Sequence, residues 1–172
     1  MKPKLKHRRP SQAKLLSQIR TGDDPILKLK CIDCPLDIRE KLALRLRSVL
    51  VATKTGVGLA APQVGIAVRA IATRHILKGM GSVAVMFNPE IISRSDTTNK
   101  GIEGCLSYPN TFREIERADS VEVTWQDESN ESHKGVFLGI EARIVQHECD
   151  HLEGVCAVIN EKSERSENLI QN

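Results

Sequence analysis

Residues 146–154 read QHECDHLEG, two histidines four apart around a glutamate, with a cysteine and a second acid in the same turn and a glycine at the end. On a helix, His147 and His151 stand one turn apart on the same face, and that spacing lets both imidazoles bind one tetrahedral ion. Glu148 is then placed to handle protons on a bound water without ligating. Two core histidines satisfied by backbone or acids would give the same letters, so the stretch by itself leaves metal binding open. Working backwards, Ile140 and Ile144 fall on the histidine face. This predicts a helix from about Gly139 to Gly154 with that stripe turned into the protein.

An ion needs at least one more protein ligand. Only 21 residues follow His151 and none is histidine, which weakens a protease reading that needs a third ligand farther along. Cys31 and Cys34 have CxxC spacing but no second such pair exists, and Cys149 falls off the face the histidines share. Cys105, within Glu103-Gly104-Cys105-Leu106-Ser107, is the better candidate, because Gly104 permits a close backbone approach. One thiolate with two imidazoles leaves a fourth position open, as in a catalytic rather than a closed structural site. In isolation Cys105 would read as a small buried hydrophobe.

A third segment, GVGLAAPQVG over 56–65, is not a phosphate loop, since it lacks the Gly-Lys-Ser/Thr ending. It is either a flexible connection or a place where a substrate backbone lies close, with Gln63 offering an amide donor to a carbonyl oxygen. Before it, apolar residues at Ile38, Leu42, Leu46, Val49 and Leu50 predict a helix over about 37–54. After it, 66–73 and 84–92 read as strands, the second bent at Pro89. Residues 93–100 read as a loop, and Val121, Val123 and Trp125 alternate on one face of a further strand. Connections this short leave no room for crossover helices, so the expected fold class is α+β, antiparallel sheets packed around the central HExxH-bearing helix.

The chain has 172 residues, a formal net charge of +3 and 40% apolar residues. That length fits one catalytic domain, expected over 21–160, and no run is apolar enough to span a bilayer. Residues 1–20 hold eight Lys, Arg or His and no acid. They read as a basic, solvated arm that could touch a polyanion, and 161–172 as a short polar tail. The arm lacks the apolar region of a secretory signal, although its composition also allows organelle targeting. Five cysteines, an odd number, point to a reducing compartment.

In this order, GVGLAAPQVG, EGCLS and QHECDH resemble the three motifs of the peptide deformylase family, and weaker similarity extends from Asp23 through Phe87 to Gly154. The resemblance implies an amidohydrolase that removes the formyl group from the N-terminal methionine of new polypeptides by metal-bound hydroxide attack. It implies Cys105, His147 and His151 as ligands of one divalent ion, ferrous iron natively, with zinc, nickel or cobalt as substitutes. Glu148 becomes the proton shuttle, and Gln63 with the Leu106 amide the oxyanion site. Val57, Leu59, Ile140 and Ile144 are candidate lining for the first side chain, and Gly56 and Gly58 candidate backbone partners of the extended peptide. Arg117 and Asp150 are candidate supports. The implied partners are N-formylated nascent peptides in a bacterial, or phage-infected bacterial, cytoplasm, with no membrane and no specific DNA. The long C-terminal helix that docks many members near the ribosomal exit tunnel is expected to be missing or drastically shortened here, as in short forms from bacteriophages or divergent bacteria, which leaves ribosome association open.

Overall fold

The computed structural model describes residues 10–74 and 83–159; the first nine residues of the arm and the tail 161–172 lie outside them. The first element among the described residues is helix α1 (Gln12–Leu16), with the Ser11 side chain capping Lys14 N. The Gln12 side-chain amide donates to Ala52 O at 2.8 Å, and Leu15 and Ile19 rest on the core. Helix α2 (Leu36–Ala52) begins directly after Pro35, with Asp37 in its first turn, where a carboxylate favours the helix dipole. Its buried stripe includes Leu42, Leu46, Val49 and Leu50, as the periodicity predicts.

Five strands make one antiparallel sheet in the order β1-β2-β3-β6-β7. They are β1 (Gly58–Ala60), β2 (Ala70–Arg74), β3 (Val83–Arg94), β6 (Ser120–Gln126) and β7 (Ser132–Leu138). A separate hairpin pairs β4 (Thr98–Cys105) with β5 (Tyr108–Ala118), and helix α3 (Gly139–Leu152) carries the histidines. Successive side chains of a strand point to opposite faces. Accordingly Ala70, Ala72, Val85 and Phe87 pack with α2, while Ile71, Met86, Val121 and Val123 pack with Ala142, Val145 and Leu152 of α3. The sheet is therefore covered by one helix on each face. This explains why residues 66–73 look apolar throughout rather than alternating.

The structure departs from the sequence reading around the hairpin. The loop expected over 93–100 shrinks to 95–97, between β3 and β4. No strand is expected over 108–116, yet β5 runs through it. Its first turn hides behind Pro109 and the left-handed Asn110 (φ 65°), and its alternation is between half-exposed and exposed residues rather than buried and exposed. Pro89 does bend its strand: the β3–β6 register shifts between Phe87 and Glu90, beside Asn88 at φ 50°.

The lead-in segment fixes the far end of α3. Cys31 N donates to Leu152 O at 2.8 Å. Gly154 turns at φ 72°, so close to the Lys28 carbonyl that an added Cβ would lie 2.5 Å from its oxygen. Only glycine fits both the backbone angle and the gap. Cys31 packs into the α3 side of the core and Cys34 into the α2 side, and burial pushes the Cys31 thiol up to about 11. Among the described residues, no helix is long and apolar enough to cross a membrane.

Candidate active site

Strand β4 ends at Cys105, and its hairpin lies against α3. Cys105 Sγ comes to 3.2 Å from His151 Nε2. One donor atom each from Cys105, His147, His151 and Cys156 lies within 4.8 Å of the other three. Three of these are the residues that the motifs single out, and Cys156 joins them from the turn after α3. Cys149 is elsewhere, against the apolar core, and burial pushes its thiol up to about 12. It is a packing residue.

The His147 imidazole is oriented from behind, whereas His151 Nδ1 is buried with no hydrogen-bond partner among the described residues. His147 Nδ1 shares a hydrogen bond with Glu103 Oε2 at 2.9 Å, which leaves Nε2 for the donor cluster. Glu103 also accepts from Arg117 Nε and Nη2, both at 3.0 Å, and from Arg143 Nη1 at 2.7 Å. Asp150 accepts from Arg117 Nη1 at 2.6 Å. Burial would raise the Glu103 carboxyl, but the bonds from His147 and Arg117 outweigh it and hold the group down at about 2. A fixed anion behind a histidine sets its tautomer and makes it a better ligand. Of the candidate supports, Asp150 bonds to Arg117, and the acid that meets the histidine is Glu103.

The Glu148 carboxyl is wholly buried and faces β1. A Cβ added to Gly58 would lie 2.2 Å from Glu148 Oε1, while Oε2 has no hydrogen-bond partner among the described residues. Burial pushes this carboxyl up to about 7, against the pull of His147 and His151. The Cys105 thiol is drawn far below its usual range, chiefly by a bond with Cys156 and then by His147 and His151, against its own burial. A thiolate and two imidazoles in one cluster, next along the helix to a carboxyl with an unsatisfied oxygen, fit a divalent ion.

Gln63 sits in the 3-10 turn after β1. Its Oε1 accepts from Ala60 N at 2.8 Å, which points Nε2 the other way, to Ser107 Oγ at 3.1 Å and Cys105 Sγ at 3.5 Å. A cleft of about 480 Å³ opens over the cluster. Gly56, Val57, Gly58 and Gln63 form one wall; Leu106, Ile140 and Ile144 also line it, with His147 and Glu148. Leu59 belongs to the α2 side of the core instead, at 0% exposure. In a strand the residue after an inward-facing Gly58 turns to the opposite face.

Glu103, Arg143, Ser107 and Cys156 carry more of the site than the sequence reading gives them. Arg143 had a signal: it precedes His147 by four residues and so shares its face. Glu103 lies two residues before Cys105 inside a motif already singled out. Cys156 had none, because its place depends on the turn at Gly154.

The family described as Polypeptide deformylase matches residues 16–167 of the chain. The peptide deformylase of Pseudothermotoga lettingae is 37% identical over 143 residues, 82% of this chain and 80% of the relative. Among solved structures, a Met-Ala-Ser-bound class I type b peptide deformylase from Acinetobacter baumannii superimposes with a TM-score of 0.73 at 34% identity, covering 80% of this chain and 93% of that one. A probable peptide deformylase from synechococcus phage S-SSM7 gives 0.74 at 35% identity, covering 80% and 95%.

Proposed function

Because the chain belongs to the peptide deformylase family, metal-dependent hydrolases that remove N-terminal formyl groups, we propose a division of labour among the residues of its cleft. Cys105, His147 and His151 hold the ion, and Glu148 carries the protons. The observation that carries this reading is the donor cluster gathered beside the buried Glu148 carboxyl at the cleft. When bound, the ion acts as a Lewis acid and makes water nucleophilic near neutral pH.

Everything else is done by the chain. Glu148, with its carboxyl near neutrality, accepts a proton from the attacking water and returns it to the departing amine. Gln63 Nε2, held in orientation by Ala60, and the Leu106 amide meet the charge that develops on the formyl oxygen. Ile140, Ile144 and Val57 give the methionine side chain an apolar wall. Gly58, the first residue of the edge strand β1, pairs with the extended peptide backbone. Gly56, which gives its N–H to Thr53 Oγ1 at 3.1 Å and accepts from Arg74 Nε at 2.7 Å, leaves room for that backbone. The Met-Ala-Ser tripeptide bound by the Acinetobacter enzyme is of the kind such a cleft would take.

We further propose ferrous iron as the native ion, with zinc, nickel or cobalt as substitutes. We place the protein in a bacterial or phage-infected bacterial cytoplasm. Residues 21–160 form the catalytic domain, on which α1 of the basic arm docks.

Purified anaerobically, the protein is expected to hold one ion per chain and to release formate from formyl-Met-Ala-Ser. One bound ion with no formate release would overturn the reading. Gly58→Ala tests the cleft wall: the new methyl displaces the Glu148 carboxyl, and kcat is expected to fall about a hundredfold, the usual effect of moving a reacting group by an ångström. Metal content should stay unchanged, and a variant with full turnover would show that Glu148 does not work from this position.

A further inference from the structure

Cys31, Cys34 and Cys149 are accounted for as small hydrophobes, each packed against one of the two apolar clusters. Cys156 is different. It is 6% exposed, yet it belongs to neither cluster, and its sulfur lies within 4.8 Å of the donor atoms of Cys105, His147 and His151. Donor atoms around one tetrahedral zinc-sized ion stand about 3 to 4 Å apart, given bonds of about 2.0 to 2.3 Å. Four donors gathered this closely need only a small contraction to share one.

The backbone also holds Cys156 in place. Gly154 N donates to His151 O at 3.2 Å, Val155 N to Asp150 O at 3.0 Å, and Ile159 N to Cys156 O at 3.2 Å. The turn is pinned from outside by the close approach of Gly154 to Lys28. Cys156 therefore sits five residues beyond His151 at a defined position, and it is not among the residues that line the cleft.

We infer that Cys156 is a second thiolate donor to the ion, entering from the buried side of the cluster and completing a Cys2His2 set. This rests on the proposed ligand role of Cys105, His147 and His151 and adds a donor to it. Two thiolates balance a divalent charge that one leaves half uncompensated. A soft or borderline divalent ion would be held more firmly by two thiolates than by one. Because Cys156 does not line the cleft, a bond from it would leave the cleft side open to water and substrate.

The test counts sulfur rather than turnover. Full-length protein loaded with zinc is expected to show two sulfur ligands by X-ray absorption. Loaded with cobalt(II), it should show a thiolate-to-metal absorbance that falls by about half in both Cys156→Leu and Cys156→Ala, one thiolate remaining of two. A single sulfur in the wild type, which requires no variant to fold, overturns the inference. An undiminished cobalt absorbance in folded Cys156→Leu does so as well. Formate release measured on the same preparation separates the two readings. Formate with one sulfur removes only Cys156 from the ligand set, whereas two sulfurs without formate keep Cys156 and overturn the deformylase assignment.

Discussion

Glu148→Gln is expected to lower kcat for formyl-Met-Ala-Ser by about 10²- to 10⁴-fold, the usual contribution of a positioned proton-transfer group, while the bound ion is retained. Glutamine keeps the shape that packs against Gly58 and loses the ability to take a proton. The pH profile gives a second readout. Activity needs the carboxylate, so kcat/KM in the wild type should fall as pH drops through the Glu148 pKa. Burial sets that value at about 7, and the positive charge of the ion draws it lower. This limb should vanish in the variant. A glutamine variant within tenfold of wild type, or one that keeps the limb, would assign the proton to another group.

Glu103→Gln is expected to cost about 3 to 5 kcal/mol of stability, since it removes the shared anion from buried cations, and to weaken the ion about 10- to 100-fold. Arg117, Arg143 and His147 all bond to this one carboxylate; Asp150 would remain for Arg117, but among the described residues Arg143 and His147 bond to no other carboxylate. The folded-state pKa is depressed, to about 2 against an ordinary 4.5. The contribution of Glu103 is therefore present above about 4.5 and is lost as pH falls toward 2. Urea melts with a chelator present should show the wild-type advantage shrinking across that window. A gap independent of pH, or affinity equal to wild type, would refute the role.

The parts of this molecule that could be read from its sequence are those fixed by local periodicity. The α2 stripe from Leu42 to Leu50 and the His147–His151 spacing are properties of one helix, and both stand in the structure at the expected residues. Cys105, which no periodicity connects to a helix 42 residues away, is reached only by weighing the chain's thiols against one another, and the resemblance then agrees. Hairpin β4–β5 escapes because its residues alternate charged and half-exposed groups without a buried face, and strand propensity is a weak guide where burial does not reinforce it. Glu103 hides for another reason. An acid in a glycine-rich stretch looks solvent-facing until the arginines that neutralise it, Arg117 from β5 and Arg143 from α3, are brought in by tertiary packing. Leu59 is misread because a one-residue change of face in a short strand exchanges cleft for core.

The donor cluster joins two units that are far apart along the chain. Cys105 stands at the turn of a hairpin that, among the described residues, makes no strand pairing with the main sheet, and the histidines ride on a helix buried against that sheet. Bringing them together closes a loop of about forty residues, whose entropy must be overcome before any contact across it repays the cost. Hairpin and helix can each form early from local contacts, but the ion has nowhere to sit until one has docked on the other. Metal capture is thus a late kinetic event, coincident with the last tertiary step. The time course of metal uptake during refolding would report the moment at which the chain is finished.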